Sequence, residues 1–102
     1  MSVVVVATIL PRPEYRAEVI AAIREVTPQV HTEDGCELYA LHEAPDRLIM
    51  IEKWATHQAL ATHSAGPALK DLGQALAGRV SAAPDVLVLE PVPAGDPGKG
   101  TL

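Results

Sequence analysis

With 102 residues and 48% hydrophobic content, the chain has room for one compact domain with a real core, and not for two. Only 3% of residues are aromatic and none is Phe, so that core must be built from Val, Ile, Leu and Ala. A net charge of −5 with no basic run argues against a nucleic-acid or anionic-membrane surface, and the lone cysteine, Cys36, excludes an internal disulfide.

The opening stretch MSVVVVATIL lacks a basic n-region, and its apolar run is too short to span a bilayer. With the unpaired cysteine, this makes a soluble, cytoplasmic protein the expectation. Within that stretch, residues 3–10 are apolar and mostly β-branched, which predicts a buried strand. Pro13 and Glu14 suit the first turn of a helix, Pro by its fixed φ and Glu by its charge against the helix dipole. Val19, Ile23, Val26 and Val30 then form one apolar stripe. Pro28 falls inside that stripe and is expected to kink or end the helix near Arg24–Thr27.

TEDGC reads as a turn with Gly35 in the left-handed conformation. CELYALHE and RLIMIEKW follow as two strands of a hairpin joined at APD. Thr56 can cap a short helix through Ala59, Leu60 and His63, which SAGP breaks. Pro67 starts another helix with Leu69, Leu72 and Leu76 on one face. DVLVLE, residues 85–90, is a last strand. The domain is therefore expected over residues 1–91, with 92–102 as a flexible tail rich in Pro and Gly.

The order β-α-β-β-α-β, with the second helix split, predicts an α+β, ferredoxin-like fold: an antiparallel sheet with helices on one face. VVVV, LIMI and VLVL are apolar on both alternating faces, so both faces of the sheet should be covered. The helices can cover only one. A second copy of the chain is expected on the other, giving a homodimer.

Chemistry-bearing residues are few. His57 and His63 lie about 120° apart around a helix axis, and no HxxxH or CxxC spacing occurs, which disfavours a metal site. No glycine-rich loop follows a strand, which disfavours a nucleotide or flavin. Cys36 reads as a small buried hydrophobe rather than a nucleophile. His63 shares the inward face of Ala59 and Leu60, where an ordinary core histidine and a pocket residue are both compatible with the spacing. Glu52 and Trp54, two apart on one strand, point to one side. If that side faces the helices, the three line one cavity; if it faces a partner chain, Trp54 is a dimer anchor. Tyr39 and His42 lie on opposite faces of the neighbouring strand, each a candidate pocket polar group or a polar tip at a sheet edge.

The run E-x-G-C-x-x-Y (Glu33, Gly35, Cys36, Tyr39), then E-x-W (Glu52, Trp54), then A-L-x-x-H (Ala59 to His63) and Pro67 resembles the antibiotic biosynthesis monooxygenase domain, and within it the quinol monooxygenases. The resemblance covers about residues 3–91. It implies a ferredoxin-like fold dimerised through its sheets into a dimeric α/β barrel-type assembly, with a pocket between sheet and helices. It also implies oxidation of a small hydroxylated aromatic, a quinol or anthrone, by O₂ without metal, flavin or haem. His63 and Trp54 become the catalytic candidates, as proton acceptor and ring wall, and Glu52, Tyr39 and His42 the substrate-binding ones. The haem-degrading relatives use an Asn and an axial His where this chain aligns Ala7 and Gly73, so haem is disfavoured. The family's frequent Pro-His pair reads Pro67-Ala68 here, one pocket polar group fewer. The alternative is a non-catalytic, dimeric ligand-binding or stress-associated module of the same fold.

Overall fold

A computed structural model describes residues 2–102. Its first strand, β1 (Val3–Ile9), alternates strictly, with Val3, Val5, Ala7 and Ile9 buried and the residues between them half-buried. The hairpin strands β2 (Cys36–Ala44) and β3 (Arg47–Trp54) follow the first helix, and β4 (Asp85–Leu89) closes the sheet. Their order is β2-β3-β1-β4, antiparallel at every pairing. This is the ferredoxin-like arrangement that the order of predicted elements implies.

The register sets which residues share a face. Val3 pairs with Trp54, Val5 with Glu52, Ala7 with Met50 and Ile9 with Leu48, so one continuous row of side chains faces the helices. Those helices are α1 (Arg16–His31), α2 (His57–Ser64) and α3 (Pro67–Leu76). Val19, Ile23 and Val30 of α1 and Ala68, Leu72 and Leu76 of α3 are buried against the row, as their stripes predict.

Two expectations for the first helix are corrected. Pro13–Tyr15 forms a 3₁₀ turn and α1 proper starts at Arg16. The helix also continues through Pro28 to His31 instead of ending before it. Arg24 and Pro28 both lie on the exposed side, so water can serve the Arg24 carbonyl that lost its N–H partner. Thr27 Oγ1 donates to the Ile23 carbonyl at 2.7 Å within the same turn.

Gly35 has φ 80°, the left-handed value its turn requires. Its carbonyl accepts from Ala55 N–H at 2.8 Å, and a Cβ there would stand 2.5 Å from Ala59 Cβ. Glycine thus lets the turn after α1 press against the start of α2, which brings Glu33 beside the second helix.

The face of the sheet away from the helices carries Val4, Val6, Ile49 and Ile51, all half-buried, and Leu87, 53% exposed. β4 pairs only with β1 and no helix lies over it, so Val86 is 56% exposed on the other side. Beyond Leu89 the chain adds no helix or strand. No helix among the described residues is long and apolar enough to cross a membrane.

Candidate functional site

Strand parity places Trp54 on the helix side with Glu52, and Trp54 is 0% exposed. The dimer-anchor alternative for Trp54 across the open sheet face is thereby removed. Thr56 caps α2 as its sequence position suggests: its Oγ1 accepts from Ala59 N–H at 3.0 Å. Seven residues on, His63 sits buried in the last turn of α2, where the helix dipole favours a cation.

Three side chains hold His63. Its Nδ1 lies 2.6 Å from Glu33 Oε1, and its ring lies 4.4 Å from the Trp54 ring, tilted by 30°. The Tyr39 ring meets it edge-on at 5.5 Å. Trp54 Nε1–H donates to Glu52 Oε1 at 2.9 Å, and that oxygen is 3.9 Å from His63 Nε2, too far for a hydrogen bond. A carboxylate only accepts, so Nδ1 carries the hydrogen bonded to Glu33, and in the neutral ring Nε2 keeps its lone pair. The result is a carboxylate–imidazole pair with its second nitrogen unengaged.

Electrostatics grade the neighbours. Burial pushes the Glu52 carboxyl above its ordinary value, against the opposing pull of the Trp54 N–H and of His63. The Tyr39 phenol is raised well past its usual range by burial, then by Glu52 and Glu33, so it stays an O–H donor. Burial, Glu33 and Glu52 also raise the Cys36 thiol, which keeps it protonated and a poor nucleophile.

The raised Glu52 carboxyl has a consequence for stability. A group whose folded pKa exceeds its unfolded one stabilises below the unfolded value and loses that contribution as pH rises through the folded value. Stability is therefore expected to fall as pH climbs from the ordinary value of 4.5 through the raised one. Glu52→Gln keeps an acceptor for Trp54 and is expected to flatten that fall, read as melting temperature against pH for both proteins. An identical pH slope in the variant would refute it.

His63 borders a cavity of about 290 Å³ between the sheet and helices α2 and α3. Val5, Ala7, Ile9 and Met50 form its floor, and α3 forms the opposite wall. Polar groups gather at one end, from Tyr39, Glu52, His63 and Ser64. The structure thus brings Tyr39, Glu52 and His63 together at one cavity and leaves two candidates outside it. Trp54, expected as the ring wall, lies behind His63 and does not border the cavity, because β3 ends there and His63 covers it. His42, expected to bind substrate, is corrected too: alternation from Tyr39 turns it to the opposite face, with Nδ1 3.1 Å from the Ala40 carbonyl. It borders a separate hollow between α1 and β2.

Glu33 was legible only as a letter in a motif. It lies 30 residues from His63, in a turn, where no periodicity reports what its side chain touches. Ala7 and Gly73 both border the cavity. No group of three His, Cys, Asp or Glu side chains among the described residues is placed to hold a metal ion.

Comparison with known proteins gives the chain's family and fold. The family model described as antibiotic biosynthesis monooxygenase matches residues 2–75. Rv0793 of Mycobacterium tuberculosis, provisionally named a monooxygenase, is 33% identical over 67 residues, 64% of this chain and 66% of that protein, just under two thirds of its length. YgiN of Escherichia coli K12, provisionally named a quinol monooxygenase, is 32% identical over 89 residues, covering 74% of this chain and 86% of that one. The solved structure of Rv0793 superposes with a TM-score of 0.85 at 26% identity, over 94% of this chain and 100% of that chain. A protein of Caulobacter crescentus CB15 superposes at 0.83, also 26% identical, over 89% and 90% of the two chains. On the match over most of its length and on the shared fold, the chain belongs to the antibiotic biosynthesis monooxygenase family.

Proposed function

We propose that the protein is a cofactor-independent monooxygenase that oxidises a small hydroxylated aromatic, of the quinol or anthrone class, with O₂. The observation that carries this reading is the Glu33–His63 pair, its Nε2 unengaged, at the polar end of an apolar cavity. The names of the relatives support it. The substrate's acidic proton passes to Nε2, and Glu33 stabilises the imidazolium that forms. Tyr39 O–H stands ready to donate to the oxyanion.

The anion then transfers one electron to O₂, and the resulting radical and superoxide combine at carbon. With the proton returned this is a hydroperoxide, which loses water to leave a carbonyl. One oxygen atom ends in product and one in water, and all four electrons come from the substrate, so no external reductant enters. Apolar walls suit this chemistry because they admit O₂ and offer few groups to hold water beside the anion.

The test is oxygen uptake by metal-free protein with a panel of naphthoquinols and anthrones, corrected for autoxidation. Uptake above background supports the proposal. A folded protein that binds the corresponding quinones yet takes up no oxygen would overturn it in favour of a binding module.

The same reading includes a second copy of the chain seated on the open sheet face. Val4, Val6, Ile49, Ile51 and Leu87 make that face apolar, more than a solvated antiparallel sheet normally shows. Sedimentation at micromolar concentration is expected to give twice the chain mass; a monomer there would refute it. A reducing, cytoplasmic setting belongs to the proposal as well, on the strength of the unpaired Cys36.

A further inference from the structure

Tyr39 and Glu52 are direct partners across the β2–β3 ladder, so their side chains stand side by side on the helix face of the sheet. Trp54 Nε1–H occupies Glu52 Oε1, while Glu52 Oε2 and Tyr39 Oη make no hydrogen bond among the described residues. His63 Nε2, on α2, is likewise unengaged. The three residues are only 4–5% exposed, yet no side-chain nitrogen or oxygen among the described residues is sealed away without a hydrogen-bond partner. The three free atoms therefore open on the cavity that their residues border.

Their chemistry divides them. Nε2 offers a lone pair on a ring backed by Glu33, the arrangement of a general base. Tyr39 keeps its hydrogen, since burial and then Glu52 and Glu33 hold the phenol well above its ordinary range. Burial also raises the Glu52 carboxyl, whose protonated form donates from Oε2 while Oε1 still accepts from Trp54. A phenol beside a neutral carboxylic acid, facing a base in an apolar space, makes an oxyanion hole for an enolate. None of these groups needs O₂ to act.

We propose a second activity at this site: isomerisation of an uncharged cyclic β,γ-unsaturated ketone to its conjugated α,β isomer. The ketone oxygen accepts from Tyr39 and Glu52, and His63 Nε2 takes a proton from the carbon between the carbonyl and the double bond. The electron pair of that C–H bond becomes the π bond of a dienolate, with the charge on oxygen. Nε2 then returns a proton to the γ carbon, and the carbonyl re-forms with the double bond in conjugation. One C–H bond breaks and one forms, so nothing is oxidised or reduced and no co-reactant enters. The ketone is uncharged because no Lys or Arg borders the cavity among the described residues, and His63 is already paired with Glu33. A bound anion would be desolvated without a free counter-charge.

The probe is a bicyclic octalone with its double bond β,γ to the carbonyl, kept under argon, and conjugation is read by ultraviolet absorbance. The protein is expected to exceed free imidazole at equal concentration by about 10²–10⁴-fold, the contribution of a positioned base. Tyr39→Phe removes a hydroxyl that bonds nothing else in the fold, and is expected to slow the reaction about 10²-fold, the loss for one oxyanion donor. Glu52→Gln presents an N–H to the cavity at every pH and still accepts from Trp54. In alkaline buffer, where the native carboxyl is more often charged, this variant is expected to be the faster enzyme. The titratable groups that face Glu52 are His63 from α2, Glu33 from the turn after α1, and Tyr39 and Cys36 from β2, and all four remain in that variant.

A rate no higher than that of free imidazole, or a wild-type rate in Tyr39→Phe, would overturn the proposal. A slower Glu52→Gln in alkaline buffer would make Glu52 a base and overturn its place as a donor. Should Glu52→Gln not fold, Tyr39→Phe decides alone. Isomerisation without oxygen uptake keeps this inference and sinks the monooxygenase reading, and uptake without isomerisation does the reverse.

Discussion

His63→Ala is expected to lower quinol turnover by about 10²–10⁴-fold, the usual contribution of a positioned acid–base group, while leaving the protein folded. Alanine removes the side chain that joins Glu33 to the cavity. The Glu33 carboxylate does not become an orphaned buried charge, because its side chain is 21% exposed and water can reach it. Loss of turnover with a retained melting transition therefore reports chemistry rather than unfolding. Glu33→Gln is expected to fall between wild type and the alanine variant, since it keeps an acceptor for Nδ1–H and loses the charge that stabilises an imidazolium. Wild-type turnover in His63→Ala would remove the imidazole from the mechanism.

Trp54→Ala is expected to be the most destabilising single substitution in the domain, at about 3–5 kcal/mol. Three losses coincide there. The indole is fully buried, so its removal leaves a large cavity in a core that has no Phe to spread into it. Glu52 loses the N–H that holds Oε1, and becomes a buried acceptor without its donor. His63 loses the ring it packs on at 4.4 Å. For a domain of this size each kcal/mol lowers the melting temperature by about 4–8 °C, so the shift is easily read by calorimetry. Trp54→Phe keeps an aromatic ring beside His63 while removing the donor and part of the buried volume, and is expected to cost less than Trp54→Ala. A melting temperature within a few degrees of wild type for Trp54→Ala would mean the indole is not the keystone that its burial indicates.

In the proposed mechanism Trp54 acts through His63, on whose ring it packs at 4.4 Å. Glu52 borders the cavity and Trp54 does not. The strand end supplies one residue of the cavity wall and one that packs on the imidazole.

The elements themselves were legible because their patterns are local. β-branched runs marked β1 and β3, Gly35 marked the left-handed turn, and the spacing of Leu69, Leu72 and Leu76 marked the inward face of α3. The E-x-W and A-L-x-x-H spacings single out Glu52 and His63, which the fold brings to one cavity. The continuation of α1 through Pro28 was not legible, since it depends on that proline lying on the solvent side of a helix packed elsewhere. Likewise, the apolar DVLVL strand reads as buried, and only the sheet order makes it an uncovered edge in a single chain.

What the sequence determined by itself is the set of elements, their ferredoxin-like order and the parity that keeps Glu52 beside Trp54 and apart from His42 across the hairpin. What only the tertiary structure decided is which side of the sheet that parity faces and what meets it there. The register of β1 on β3 turns Glu52 and Trp54 toward the helices. The close approach of Gly35 to Ala59 brings Glu33 onto an imidazole 30 residues away. Periodicity reports direction relative to the chain's own axis, whereas the Glu33–His63 pair is a distance between two elements, and that distance exists only once they are packed.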